Sequence, residues 1–356
     1  MSITIQDRAM GAIVGAFIGD AIALGPHWYY DLEELHKDYG TWIDNYTTPK
    51  KGRYHENERA GDLSQSGYIL KLMIRSIIDN NGYDQDDFCK KLDKELLNKI
   101  DGTPTDGPGG YTSQSMREVC RQRVQQNLSW DEVGSRADTT EAIERTLALA
   151  VRYALQPKEL AKSISHNTFL TQVDDTVGSI TVAFGAVLAQ LIQGEKLDSA
   201  ISNKLMKLVK EGELPFHAVT SDGLKPPKPG GKDPSNIGLF ASPDALLTPS
   251  FIAQAANDPD IQIEPAWKVS LVYGMPCAIY HIVPASYYLA ARFHNDFESA
   301  VLHALNGGGQ NQARSILTGA LVGAQVGLGN IPQRFIDGLN DKDEILSLAK
   351  KLSHLV

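Results

Sequence analysis

Residues 10–22 read MGAIVGAFIGDAI, and this stretch decides the class of fold. Its apolar residues recur at the i, i+3, i+4 and i+7 spacing of a helix, and the same spacing places Gly11, Gly15 and Gly19 on one stripe. Glycine costs a helix about 1 kcal/mol relative to alanine, so three in one stripe indicate that something approaches the backbone closely. The sequence therefore predicts a helix buried in the core.

A second glycine stripe lies near the C-terminus, where Gly319, Gly323 and Gly327 repeat the spacing of four. We expect both striped helices in the core, where they can pack against each other. Helical periodicity predicts further helices near 65–79, 85–100, 114–127, 143–154, 172–193, 197–211, 244–256, 266–282, 297–305 and 312–328. No convincing period-two strand is found, so the sequence predicts an all-α fold, a single multi-helix orthogonal bundle over residues 1–356.

Charge and cysteine content exclude several classes of partner. The chain has 34 basic and 43 acidic residues, a net charge of −9, which disfavours nucleic acid and anionic membranes as partners. Three dispersed cysteines without paired spacing predict a reducing, cytoplasmic location. The uncharged run 269–291 contains Pro276 and Pro284, so we predict buried helices broken by proline rather than a membrane span. The oligomeric state is left open.

The segment 212–243 is a long Pro/Gly-rich loop. It contains six prolines and five glycines, which exclude a long helix. Loops of this length in compact domains are usually binding loops or mobile insertions. The sequence leaves both a mobile insertion and a pocket wall open.

Asp20 follows the first glycine stripe inside an apolar helix. No basic residue lies within one helical turn of it, and a buried carboxylate needs a partner or a role. His27 and Trp28 follow in the aromatic segment 26–31, PHWYYD. This segment predicts either the wall of a pocket for a flat ring and a ribose or a capping aromatic cluster.

The second glycine stripe is preceded by residues 307–314, GGGQNQAR. Glycines before a helix expose successive backbone N–H groups at the positive end of the helix dipole, and Arg314 adds a bidentate donor. Gly308 and Gly309 therefore suit a pyrophosphate, although a flexible start to the helix would give the same pattern.

Other polar segments are weaker candidates. Asp62, Ser64 and His55 belong to one of them, between residues 54 and 67. The adjacent acids Asp174 and Asp175 could ligate a metal, but an acidic first turn of a helix explains them better. The remaining histidines show no paired metal-ligand spacing, and we expect them to be structural: His166, His217, His281, His294 and His303.

Together these segments resemble the ADP-ribosylglycohydrolase family. Residues 11–21, GAIVGAFIGDA, are similar to its opening GxxxGxxxGDA helix, and residues 297–309, FESAVLHALNGGG, with the glycine-striped helix after them, to its closing motif. The resemblance implies an all-α fold and hydrolysis of the bond joining ADP-ribose to a side chain or small molecule. It also implies two Mg²⁺ ions, held by a TDDT-like motif and by the acids of GGDTDT.

The chain departs from the family at both metal motifs. Residues 64–67 read SQSG and residues 310–312 read QNQ, neither with a carboxylate. Because Mg²⁺ is normally held by carboxylates, we expect no two-metal site and no metal ligands, with at most one weakly bound Mg²⁺. Residues 26–31, 54–55, 60–64 and 307–314 are most similar to the branch of the jellyfish J1 crystallins, in which the metal acids are likewise altered.

The resemblance leads to three alternatives. The first is a hydrolase that cleaves a glycosidic bond to ADP-ribose, or to a related nucleoside-type substrate, on a small molecule or a modified protein. Its expected catalytic residues are Asp20, Asp62 and His55, and a carboxylate would stabilise the oxocarbenium-like charge. The second is an inactive nucleotide-binding pseudoenzyme and the third a crystallin-like structural protein. The expected substrate-binding residues are His27, Trp28, Ser64, Gln65, Gly308, Gly309, Gln310, Asn311, Gln312 and Arg314.

Overall fold

The computed structural model describes residues 3–104, 107–217, 239–240 and 243–356. These residues form sixteen α-helices and no sheet, so the predicted all-α class is confirmed. The helices are α1 Ile5–Ile22, α2 Leu32–Tyr39, α3 Gln65–Asn80, α4 Gln85–Glu95, α5 Gln114–Cys120, α6 Glu141–Arg152, α7 Pro157–Phe169, α8 Asp175–Ile192, α9 Ile201–Lys210, α10 Asp244–Asn257, α11 Val269–Tyr273, α12 Ile279–Arg292, α13 Phe297–Asn306, α14 Asn311–Val326, α15 Gln333–Asp337 and α16 Lys342–Ser353.

The two glycine-striped helices, α1 and α14, pack directly against each other at the centre. A Cβ atom added to Gly319 would collide with the carbonyl oxygen of Gly15, and one added to Gly15 would collide with that of Gly319. Gly11 and Gly323 face each other in the same way. The glycines therefore allow a backbone-to-backbone contact that any side chain would block.

Proline and glycine break one of the predicted helices. The segment 266–282 is not one helix, because α11 ends at Tyr273 and α12 begins at Ile279, with Gly274 and Pro276 between them. Pro284 lies inside α12 and most of α12 is buried, as predicted for this uncharged run. The periodicity analysis did not predict α2, α7, α15 or α16.

One helix in the described part of the chain has the length and apolar character of a membrane span. It is α8, and 72% of its apolar window is buried inside the protein. That burial is typical of a core helix, since a span would turn its apolar surface to lipid.

Candidate functional site

A small cavity of about 100 Å³ lies where the first turns of α3, α6 and α14 meet the segment that follows α1. Among the side chains that line it are His27, His55, Ser64, Glu141, Glu144 and Gln310. The cavity thus brings together residues from segments that are distant in the sequence, and several of them were candidates from the sequence alone.

Asp20 lies directly behind the wall of this cavity. It is 1% exposed, and its carboxylate accepts hydrogen bonds from Ser64 N at 2.8 Å and Ser64 Oγ at 2.5 Å. Burial raises its pKa to about 6, although the bonds from Ser64 partly oppose the shift. Ser64 lines the cavity and Asp20 does not. The expected catalytic role of Asp20 therefore becomes a positioning role, in which it holds Ser64 at the start of α3.

Three side chains form a hydrogen-bonded relay along one wall. His55 Nδ1 lies 2.6 Å from the carbonyl oxygen of Gly109 and donates to it, since a carbonyl only accepts. Burial lowers the pKa of His55 to about 4 and that of His27 well below its ordinary value, so both rings are neutral. His27 Nδ1 then donates to His55 Nε2 at 2.7 Å.

The relay fixes the orientation of Gln310 as well. Neutral His27 has only a lone pair left on Nε2, and this atom pairs with the side-chain amide of Gln310. The amide must therefore turn its NH₂ group toward His27. Both nitrogens of His55 are engaged in the relay, so His55 is not free to move a proton to a substrate as the sequence analysis expected.

Two glutamates at the start of α6 are the carboxyl groups that line the cavity. Glu144 accepts a hydrogen bond from Thr140 Oγ1 at 2.6 Å, and Glu141 accepts one from Thr139 Oγ1. Burial and the neighbouring Glu141 raise the pKa of Glu144 to about 7. Burial also raises the pKa of Glu141, but the hydrogen bond from Thr139 and the charge of Arg145 oppose this shift. The cavity therefore holds a pair of carboxyls in unequal surroundings.

The sequence analysis missed this pair, although α6 carries a usable signal. The periodic residues Ile143 and Leu147 mark the buried face of α6, and Glu144 and Arg145 lie between them. Both charged residues are buried, at 4% and 2% exposure. A charged pair inside an apolar run is the pattern that singled out Asp20, and it could have identified Glu144 too.

Two N–H groups of the glycine loop before α14 are paired with backbone carbonyls. Gly309 N donates to the carbonyl oxygen of Tyr29 at 2.7 Å, and Gln310 N donates to that of Met275 at 2.9 Å. Gly308 and Gly309 have φ values of +64° and +60°, the left-handed conformation that favours glycine. These glycines shape a backbone contact, and the structure does not support the expected pyrophosphate cradle.

Arg314 and Asn311 lie in the core instead of at the site. Arg314 is fully buried and donates from Nε to the carbonyl oxygen of Ala304 at 2.9 Å and from Nη2 to that of Gly308 at 2.7 Å. The Asn311 amide donates to the carbonyl oxygen of Pro26 at 3.1 Å. Neither residue lines the cavity, so the geometry does not favour the expected binding of a diphosphate by Arg314 in this cavity.

Asp62 and Asp174 are also placed away from the cavity. The Asp62 carboxylate accepts hydrogen bonds from Asn340 Nδ2 at 2.6 Å and from Arg59 N at 2.8 Å. Its position thus does not agree with the expected catalytic role. Asp174 caps α8 by accepting from the backbone of Thr176 at 2.9 Å, as expected for an acid at a helix start.

Two aromatic rings form part of the cavity wall. Trp28 and Tyr111 line the cavity with centroids 4.2 Å apart, and the exposed Tyr54 packs against both. Trp28 has a φ of +65°, unusual for a bulky residue, and its ring stacks on His27 at 4.6 Å. The indole Nε1 of Trp28 and the amide oxygen of Gln65 are buried without hydrogen-bond partners. Both residues line the cavity.

The donors at the positions of the family's metal motifs are mostly neutral. Ser64, Gln65, Gln310 and Gln312 line the cavity, while the one carboxylate, Asp20, is held by Ser64. In the described part of the chain no three His, Cys, Asp or Glu side chains are grouped to hold a metal ion. Because two Mg²⁺ ions need several carboxylate ligands, these residues do not fit a two-metal site.

A larger cavity, of about 1120 Å³, lies between α7, α8, α10 and α12. It shares no lining residue with the small cavity. The first part of the Pro/Gly-rich segment, from Gly212 to Phe216, lines it, as the pocket-wall alternative expected. Residues 218–238 and 241–242 of that segment lie outside the described residues.

Comparison with known proteins gives three findings. A family model described as ADP-ribosylglycohydrolase matches residues 1–356. An uncharacterized protein of Archaeoglobus fulgidus is 21% identical over 353 residues, which cover 99% of this chain and 97% of that protein. A solved structure titled "ADP-ribosylglycohydrolase-related protein complex" superposes with a TM-score of 0.61 at 16% identity, covering 99% of this chain and 98% of that one, and at this identity it shows the fold alone.

Proposed function

Because the chain belongs to the ADP-ribosylglycohydrolase family, we propose that it hydrolyses a glycosidic bond to ADP-ribose or a related nucleoside-type sugar in the small cavity, with Glu141 and Glu144 as the reacting carboxyls. One observation carries the proposal. Two carboxyls line the same enclosed cavity, and the pKa of one is raised to about 7. Such unequal pairs divide the roles of acid and base in glycosidases.

Glu144 is the proton donor and Glu141 the base in this scheme. Glu144 gives its proton to the departing oxygen or nitrogen as the bond from that atom to the anomeric carbon breaks. Water attacks the anomeric carbon, forms the new C–O bond and loses a proton to Glu141, whose negative charge also stabilises the oxocarbenium-like transition state. The net reaction consumes one water and releases the free sugar and the protonated leaving group.

The remaining polar residues of the cavity orient groups and do not react. Asp20 holds the Ser64 hydroxyl, and the relay of His27 and His55 holds the Gln310 amide. Because both rings are neutral, they bring no positive charge next to the carboxyl pair. Outside α6, the charged side chain that lines the cavity is Arg117 of α5.

The proposed reaction does not use the family's two Mg²⁺ ions. The residues at the metal motifs are neutral amides and a hydroxyl, and they do not fit that pair of ions. We expect equal rates with added Mg²⁺ and with a chelator. A rate that disappears on chelation and returns with Mg²⁺ would contradict this part of the proposal.

Substitution of the pair tests the proposal. We expect Glu144→Gln and Glu141→Gln each to lower kcat/KM by about 100-fold or more on ribosyl and ADP-ribosyl substrates whose leaving group must be protonated, because each removes one acid–base function. Asp62→Asn is the matched control, since that carboxylate lies outside the cavity, and it should retain activity. If both glutamine variants kept wild-type rates, the assignment would be wrong.

A binding protein without turnover is the second candidate. It is favoured by the unpartnered Trp28 Nε1 and Gln65 Oε1, which can recognise a ligand whether or not the carboxyls react. Calorimetry with purified protein separates the two candidates. A glycoside that binds and is recovered unchanged supports the binding protein, whereas release of its leaving group supports the hydrolase.

A further inference from the structure

We propose that the substrate of this cavity is a simple glycoside, a single sugar ring with a small leaving group and no diphosphate. The inference rests on the proposed hydrolysis and narrows its substrate class. The inference follows from the size of the cavity, from nearby donors that already have partners, and from the charges of the side chains that line the cavity.

Size is the first argument. The cavity measures about 100 Å³, whereas pockets for drug-sized ligands measure about 300–1,000 Å³. A cavity of about 150 Å³ is known to accept one six-membered ring. The space beside Glu141 and Glu144 is therefore of the order of one ring, and a dinucleotide-sized ligand exceeds it several times.

Packed aromatic rings bound part of that space. Trp28 and Tyr111 pack edge to face at 4.2 Å, and Tyr54 contacts Trp28 at 4.9 Å and Tyr111 at 5.1 Å. A nucleotide attached to the sugar would have to displace these rings. A small leaving group needs no such displacement.

Several of the donors near the cavity already have hydrogen-bond partners within the protein. Gly309 N and Gln310 N donate to backbone carbonyls, and Arg314 donates to two more. Arg117 Nη1 donates to the carbonyl oxygen of Thr112 at 2.6 Å and to Tyr111 Oη at 3.2 Å, and Arg145 donates to Asn167 and Thr171. A diphosphate that used these donors would have to replace their bonds within the protein.

The charge and the free polar atoms favour a neutral, hydroxyl-bearing ligand. Glu141 already raises the pKa of Glu144, so a further negative charge directly beside this pair is disfavoured, while the charges of Arg117 and Arg145 at the cavity balance those of the two glutamates. Trp28 Nε1 is a free donor and Gln65 Oε1 a free acceptor, and Gln65 is 4% exposed. Sugar hydroxyls donate and accept, so one ring satisfies both atoms.

The first test compares two substrates of the full-length protein, methyl β-D-ribofuranoside and ADP-ribosyl-arginine, with the released sugar measured by chromatography. We expect kcat/KM for the riboside to be higher by about tenfold or more. An equal or higher value for the ADP-ribosyl substrate overturns the inference and leaves the proposed hydrolysis standing. If neither is cleaved, the proposed hydrolysis fails, and calorimetry decides the inference: ribose must bind more tightly than ADP-ribose.

The second test opens the cavity. Trp28→Ala should raise kcat/KM for ADP-ribosyl-arginine by about tenfold, because it removes a ring from the cavity wall. Trp130→Ala is the matched control, since Trp130 donates to Asp93 away from the cavity, and it should change nothing. Tyr54→Ala removes an exposed ring and serves if Trp28→Ala fails to fold. If kcat/KM for ADP-ribosyl-arginine rises in neither folded variant, the proposed limit on substrate size is contradicted.

Discussion

Glu144 is a buried acid whose surroundings favour the protonated form, and this has a consequence for stability. Its pKa rises from an ordinary value of 4.5 to about 7 in the folded protein. A group with a raised folded pKa stabilises the fold fully below its unfolded pKa, and this contribution is lost as the pH rises through the folded pKa. Glu144 therefore destabilises the native state at pH 8 relative to pH 4.

Glu144→Gln should remove this dependence. Between pH 4 and pH 8 the variant should gain about 3 kcal/mol in free energy of unfolding relative to the wild type, the equivalent of the shift in pKa. Urea denaturation over that range measures the difference, and Glu33→Gln, an exposed residue of α2, is the control. A difference that is constant with pH would show that Glu144 is not buried as described.

The hydrogen bonds of the histidine relay can be tested by a substitution at Gln310. Gln310→Glu replaces an amide that can donate by a carboxylate that only accepts, so His27 Nε2 must carry a proton to keep the bond. We expect the pKa of His27 to rise from well below 6.5 to near neutrality or above. NMR titration of the imidazole nitrogens measures this, and an unchanged His27 would exclude the relay.

Sequence alone singled out several residues that line the cavity and several that lie outside it. Asp20 stood out because it is a charge in an apolar helix, yet its partner Ser64, and not Asp20 itself, lines the cavity. Arg314 looked like a phosphate ligand, but its partners are backbone carbonyls of residues 304 and 308. Whether a polar side chain faces a cavity or the core depends on packing that neighbours in sequence do not reveal.

The close contact between the central helices α1 and α14 can be tested with a single added methyl group. Gly319→Ala on α14 would place a methyl group against the Gly15 carbonyl oxygen of α1, and both backbones would have to move apart. We expect a loss of about 2 kcal/mol or more in the free energy of unfolding. Gly329→Ala is the control, because a Cβ there meets only an ordinary contact at 3.9 Å. Equal stability of the two variants would contradict the close helix contact.

Elements with a strong apolar period were predictable, and elements defined by long-range pairing were not. The glycine stripes of α1 and α14 indicated that each helix has a close neighbour. The glycine loop before α14 was misinterpreted because its N–H groups pair with Tyr29 and Met275, distant in sequence. The helix α16 escaped the periodicity analysis, yet its Ile345 and Leu352 pack into the core.

For the whole molecule, the fold class followed from the sequence and the shape of the site did not. The cavity is assembled from loops near residues 27 and 55 and from the first turns of α3, α6 and α14. Its volume depends on how these segments pack, and no local pattern encodes it. The family resemblance pointed to several segments that line the cavity, whereas the carboxyl pair and the size of the cavity came from the packed structure.

The central claim is that Glu144 protonates the leaving group in this cavity, and leaving groups of different basicity test it most directly. The measurement compares wild type and Glu144→Gln on methyl and p-nitrophenyl β-D-ribofuranoside. We predict a loss in kcat/KM of about 1,000-fold on the methyl riboside, whose leaving group needs a proton, and of less than about tenfold on the nitrophenyl riboside, whose leaving group does not. An equal loss on both substrates would contradict the account.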